Sequence, residues 1–159
     1  MILYHGSNVA VREPRLLTKQ RDLDFGKGFY TTTDMPQASS WAQRTARIRR
    51  QGSPTVSVYE ADDLLVGELE VLRFDTPDEA WLEFIASHRR GDADDAVWDV
   101  VLGPVANDQT MPTLVLYLDG YLTEQEAIAR LLPQKLKDQV VFKTERALRL
   151  LRCIEVVSL

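Results

Sequence analysis

Asp24-Phe25-Gly26-Lys27-Gly28-Phe29-Tyr30-Thr31-Thr32-Thr33-Asp34-Met35-Pro36-Gln37-Ala38-Ser39-Ser40-Trp41 is the stretch on which the fold turns, together with His5-Gly6-Ser7, beside which it would lie. Two glycines flank Lys27 and lead into a β-leaning Phe-Tyr-Thr-Thr run. Glycine there lets a turn take positive φ, or lets backbone approach a neighbour closely. The spacing is not the dinucleotide fingerprint, because no strand–Gly-x-Gly-x-x-Gly–helix unit surrounds it, and it lacks the Gly-Lys-Ser/Thr ending of a Walker loop. The chemistry therefore reads as a glycine turn that presents Tyr30 from the start of a strand. Asp34 is placed to cap a helix with Pro36 in its first turn, running towards Arg50. Ala38, Trp41, Ala42 and Thr45 share one face of it, Gly52 supplies a stop, and Arg44, Arg47, Arg49 and Arg50 give it a basic end that suits the helix dipole. That basic end reads as a solvated face, with a nucleic-acid strip as the alternative.

Outward from this block the chain alternates short strands and short helices. Met1–Tyr4 reads as a buried strand ending at His5. Thr55–Tyr59 and Leu65–Phe74 read as strands, and Thr76-Pro77-Asp78-Glu79 as a helix start with Thr76 as cap. Trp81, Leu82, Phe84 and Ile85 point that helix inward, and Gly91 ends it. An acidic turn over Asp92–Asp95 precedes a strand over Ala96–Leu102, closed by Gly103-Pro104. Thr113–Leu118 fits either a strand or the first of two short helices, and the Thr123-x-x-Glu126 box favours helices. Gln139–Phe142, a helix over Thr144–Leu151 and a strand over Cys153–Val157 complete the chain. This mixture without regular βαβ alternation is α+β. A length of 159 residues with 45% hydrophobic and 27% charged residues fits one domain over 1–159 with a single core.

A net charge of −5 argues against a generic nucleic-acid coat. The lone cysteine, Cys153, reads as a buried inert thiol, and no cysteine-based zinc site or disulfide is expected. No apolar run reaches the ~18 residues of a membrane span, and no basic leader with a cleavage site precedes Ile2, so a cytoplasmic location is expected. His88, beside Arg89 and Arg90, reads as a solvated surface residue. No metal-ligand cluster stands out.

His-Gly-Ser near the start, Gly-x-Gly-x-Tyr with a small-residue helix behind it, and the Asp138-Gln139-Val140-Val141-Phe142 strand occur in the order that resembles the catalytic domain of the ADP-ribosyltransferases. The likeness is to the poly(ADP-ribose) polymerase and diphtheria-toxin branch, which carries a His, a Tyr and usually a Glu on three strands. The chain also resembles a compact bacterial family, named as a domain of unknown function, with a DFGKGFYTT-type block and a DVVLGPVAND block. The resemblance implies two small antiparallel sheets split around an NAD cleft, with helices at the periphery. It implies mono-ADP-ribosyl transfer from NAD with release of nicotinamide. The unidentified acceptor would be a protein or a nucleic acid. Family analogy adds a toxin held by an antitoxin partner.

By the same resemblance His5 holds the adenine-side ribose, Gly6 offers backbone groups to the nicotinamide amide, and Ser7 caps the turn or touches the ribose. Tyr30 stacks on nicotinamide, Ser39 or Ser40 bonds its amide, and Trp41 is a second wall. Gly28 and Thr31 complete the cofactor-binding set. Gln139 stands at the position of the catalytic glutamate. A glutamine keeps a hydrogen bond to the ribose but carries no charge and cannot act as a base. Asp24, Asp99 and Asp108 are candidates to lend that charge, whereas alternation points Asp138 to the other face. The alternatives are a catalytically weak NAD or ADP-ribose binding module, and transfer involving RNA as in the tRNA 2′-phosphotransferases.

Overall fold

A computed structural model describes residues 1–20, 23–62, 67–93, 97–107 and 109–159. In these residues the chain is α+β, with two small sheets and five helices. The first sheet, in the order β1-β3-β7, contains β1 (Ile2–Ser7), β3 (Thr55–Ala61) and β7 (Leu151–Ser158), all antiparallel. The second, in the order β2-β6-β5-β4, contains β2 (Phe29–Thr31), β6 (Asp138–Phe142), β5 (Val100–Pro104) and β4 (Val71–Arg73). Its β4–β5 pair is parallel, so this sheet is mixed rather than antiparallel throughout as expected. The helices are α1 (Met35–Arg49), α2 (Glu79–Arg90), α3 (Met111–Leu118), α4 (Glu124–Leu131) and α5 (Glu145–Leu148).

The two sheets meet where β1 runs past the end of β2. Tyr4 N–H donates to the Thr32 carbonyl at 2.8 Å, and Thr32 N–H donates back to Tyr4 at 3.0 Å. Each face of the second sheet then buries its own apolar set, as period-2 alternation requires. Phe29, Val140 and Phe142 pack with Leu3 and Tyr59, between the sheets. Val101 and Val141 pack with Trp81, Leu82 and Ile85 of α2 and with Leu114 and Leu131 of α3 and α4. Trp81, fully buried, donates its indole N–H to the Pro104 carbonyl at 2.9 Å, which ties α2 to β5.

Several boundaries differ from the sequence reading. Asp78, not Thr76, caps α2, because its side chain accepts from Trp81 N–H at 3.0 Å. Asp34 precedes α1 but makes no side-chain cap bond, since its neighbours Thr32 and Thr33 are tied to Asp138 instead. Arg50 in the left-handed conformation ends α1, before Gly52 is reached. Gly103 and Pro104 lie inside β5 rather than closing it. Pro104 is tolerated because β4 pairs only as far as Leu102, leaving that edge free of a ladder bond. Strand β4 is shorter than the expected strand from Leu65, which itself lies outside the described residues, as do Asp94 and Asp95 of the acidic turn. His88 is buried, with Nδ1 at 2.7 Å from the Phe84 carbonyl and its ring 4.4 Å from that of Phe84. Cys153 is half-buried on the edge strand β7.

Asp99 anchors the end of the second sheet. Its buried carboxylate accepts from Glu70 N–H at 2.9 Å, Thr144 Oγ1 at 2.5 Å and Arg146 Nε at 2.8 Å. Arg146 first, with Thr144 and the Glu70 amide helping, lowers its pKa from 3.8 to about 2. A depressed carboxylate contributes stability above its unfolded pKa, and that contribution is lost as pH falls through about 2. Asp99→Ala strands these donors and should cost about 2–3 kcal/mol in urea unfolding near pH 7. The difference from the parent should shrink as the pH falls below 4.

Candidate functional site

A cavity of about 580 Å³ opens between β1, α1 and the strand pair β2–β6, within the range of small-molecule sites. His5, Gly6 and Ser7 reach it from β1, Tyr30 from β2 and Gln139 from β6. The loop before β2 adds Gln20 and Asp24, and α1 adds Trp41, Arg44, Thr45 and Arg49.

His5 is held by its own strand crossing. Its Nδ1 lies 2.7 Å from the Tyr30 carbonyl, so this nitrogen carries the proton, and the ring stacks on Phe29 at 4.3 Å. Burial pushes the His5 pKa below its ordinary value; the Tyr30 carbonyl opposes this and the nearby Arg49 charge adds to it. The ring is therefore neutral at pH 7, and Nε2 is an acceptor.

Tyr30 is fixed by the glycine turn that precedes it. Its hydroxyl donates to the Gly26 carbonyl at 2.6 Å and accepts from Phe25 N–H at 3.1 Å, while Gly26 takes φ 76°. Gln20 adds a second clamp: its amide donates to the Gly28 carbonyl at 2.8 Å and accepts from Gly28 N–H at 3.1 Å. Gly28 itself must lack a side chain, because a Cβ would stand 2.5 Å from Val141 Cγ1 and 2.9 Å from the Phe142 carbonyl oxygen.

Gln139 is 3% exposed, and its Nε2 has no hydrogen-bond partner among the described residues. It shares a sheet face with Val141, the register partner of Tyr30, so Gln139 and Tyr30 are presented on the same side. An unpaired buried amide costs about 1–3 kcal/mol and calls for an explanation. Asp138 points the other way. Its carboxylate accepts from Thr33 N–H at 2.9 Å, Thr33 Oγ1 at 2.6 Å and Thr32 Oγ1 at 3.1 Å, and so lends nothing to the cavity.

Of the other acids, Asp24 lines the cavity and pairs with Arg89, and burial raises its pKa against the pull of that arginine. Asp99 belongs to the anchor described above, and Asp108 lies outside the described residues. Thr31 and Ser39 are not brought into the cavity wall. Thr31 is on the core face, fully buried, with Oγ1 donating to the Val140 carbonyl at 2.7 Å. The hydroxyls of Ser39 and Ser40 donate back along α1 to the carbonyls of Met35 and Pro36 at 3.0 and 3.1 Å.

The face of α1 also divides differently from the expectation. Ala38 and Ala42 are fully buried against the first sheet, whereas Trp41 and Thr45 turn to the cavity together with Arg44 and Arg49. Both arginines are also exposed, in keeping with the solvated basic end read from the sequence. The i, i+3, i+4, i+8 spacing from Trp41 was the signal that joins them to the cavity wall. Arg49 donates to Asn8 Oδ1 at 2.9 Å, and Asn8 Nδ2 donates to the Gln51 carbonyl at 3.0 Å, fixing the end of α1 to the end of β1.

Gly6 has a structural reason that precedes any ligand. A Cβ there would fall 1.9 Å from the Ala38 carbonyl oxygen and 2.7 Å from the Ala42 nitrogen. Gly6→Ala should therefore displace α1 and lower stability by about 3 kcal/mol in denaturant unfolding. A variant as stable as the parent would contradict this close packing of β1 on α1.

No curated protein and no solved structure matches the chain. A family model described as a protein of unknown function, DUF3990, matches residues 1–153. The chain therefore belongs to the DUF3990 family.

Proposed function

We propose that the cavity binds NAD and that the protein is a mono-ADP-ribosyltransferase, with the two sheets forming the split NAD cleft of that enzyme class. The observation that carries this reading is the buried, unpartnered Nε2 of Gln139 on the same wall as Tyr30, across from His5. Three residues named from separate stretches of sequence line one cavity, and one of them lacks the partner that a ligand would supply.

The resemblance supplies the roles, and the geometry is compatible with them. Nε2 of neutral His5 accepts a hydrogen bond from a ribose hydroxyl. The Tyr30 ring, pinned through its hydroxyl, offers a flat wall for the electron-poor nicotinamide. Gln139 Nε2 donates to a hydroxyl oxygen of the nicotinamide-side ribose. The C1′–N bond then breaks, the bonding pair leaves with nicotinamide, and an oxocarbenium-like cation forms at C1′. An acceptor nucleophile bonds to C1′ and gives up its proton. Gln139 contributes no charge to this cation; Asp24, which lines the same cavity as Glu13 does, is the one of the sequence-named acids placed to lend it. The absence of charge at position 139 also supports the second reading, an NAD or ADP-ribose binding module without turnover. Chain elongation is disfavoured for the same reason.

Nicotinamide release on incubation with NAD separates the two readings. The transferase reading expects release by the parent, less release by Gln139→Ala, and equal or faster release by Gln139→Glu, because a carboxylate adds preorganised charge where the cation develops. Asp24→Asn should slow release without abolishing NAD binding. NAD binding without release would leave the binding module. Equal calorimetric NAD affinity for Tyr30→Ala and the parent, at matched folding, would contradict both; the expected loss is about fivefold, from a stacking contact of about 1 kcal/mol. Because His5 must be neutral to accept and burial lowers its pKa, affinity should hold steady near neutral pH and fall only on acidification below the ordinary histidine range.

A further inference from the structure

We infer that the α1 wall of the cavity is a subsite for a diphosphate, formed by Arg44 and Arg49. Both side chains line the cavity that also holds the unpartnered amide of Gln139. Arg44 is exposed on α1 and makes no ion pair and no hydrogen bond among the described residues. Arg49 is oriented by a neutral group, the Asn8 amide, at 2.9 Å. Neither guanidinium is therefore neutralised by a carboxylate. The other charges of the cavity are matched locally: Arg15 lies 3.6 Å from Glu13, and Asp24 is paired with Arg89.

Both guanidiniums are exposed at one wall of the cavity, and among the described residues neither meets a carboxylate. Planar guanidinium forks suit phosphate oxygens in geometry and charge. A diphosphate fits better than a single phosphate because two cations five residues apart on α1 share the wall. It rests on the dinucleotide reading of the cavity, which supplies a diphosphate between two ribose sites. The wall then divides the work: Tyr30 and Gln139 take the nicotinamide-side half, and α1 takes the charged bridge.

Calorimetry with inorganic pyrophosphate, ADP-ribose and adenosine tests the subsite on the intact protein. Pyrophosphate should bind the parent, with affinity that weakens as salt rises. Arg44→Gln, which removes no internal contact, should weaken pyrophosphate and ADP-ribose at least fivefold and leave adenosine unchanged. Arg44→Lys should recover part of the loss by keeping charge without the fork. Arg49→Gln should act in the same direction. Absence of pyrophosphate binding to the parent, or equal binding to Arg44→Gln, overturns the subsite. Neither result depends on nicotinamide release, so the subsite can fail while the transferase reading stands, and pyrophosphate binding can persist where NAD is not turned over.

Discussion

The contact between β1 and β2 organises the molecule. Two backbone hydrogen bonds between Tyr4 and Thr32 join the sheets, and the next residue, His5, adds a side-chain bond to the Tyr30 carbonyl. The cavity opens beside this junction, between β1, α1 and the β2–β6 pair. The junction also explains why the residues of the site come from distant parts of the chain. β1 supplies His5, β2 supplies Tyr30, and β6, paired with β2 in antiparallel register, brings Gln139 from more than a hundred positions away. Changing the tilt at this junction would move His5 relative to Tyr30 and Gln139, which share the second sheet.

Helix α1 closes the space because β1 lets it come close. Gly6 permits the backbone of α1 to rest directly on β1, and Ala38 and Ala42 present small side chains at that contact. Trp41, Arg44, Thr45 and Arg49, next to that face, then line the cavity. The glycine to which the resemblance gives a ligand contact is thus required by packing alone. The glycine turn before β2 is similar: Gly26 supplies a left-handed conformation, and the carbonyl that it presents takes the Tyr30 hydroxyl.

Local patterns made much of this legible in the sequence. The Asp24–Trp41 block announced a turn, a strand and a helix, and alternation in the β6 segment separated Gln139 from Asp138. The helical reading of Thr113–Leu118 followed from the capping box at Thr123, which accepts from Glu126 N–H as such boxes do. Tertiary choices were not legible. Whether Asp78 or Thr76 caps α2 depends on which side chain reaches Trp81 N–H, and the parallel pairing of β4 with β5 has no local signature. The burial of His88 followed from packing on Phe84, a contact that a run of charged neighbours concealed. The resemblance assigned Thr31 and Ser39 to the site. Strand alternation sends Thr31 into the core, and the hydroxyl of Ser39 is satisfied by its own helix.

The central claim is that a dinucleotide completes the hydrogen bonding of Gln139. Its side-chain amide can be followed directly by 1H–15N NMR, with the resonance assigned by its disappearance in Gln139→Glu. On titration with NAD the account predicts a saturable shift of this amide, accompanied by shifts of the Tyr30 ring protons. A Gln139 amide that stays in place while NAD reaches millimolar concentration would contradict it.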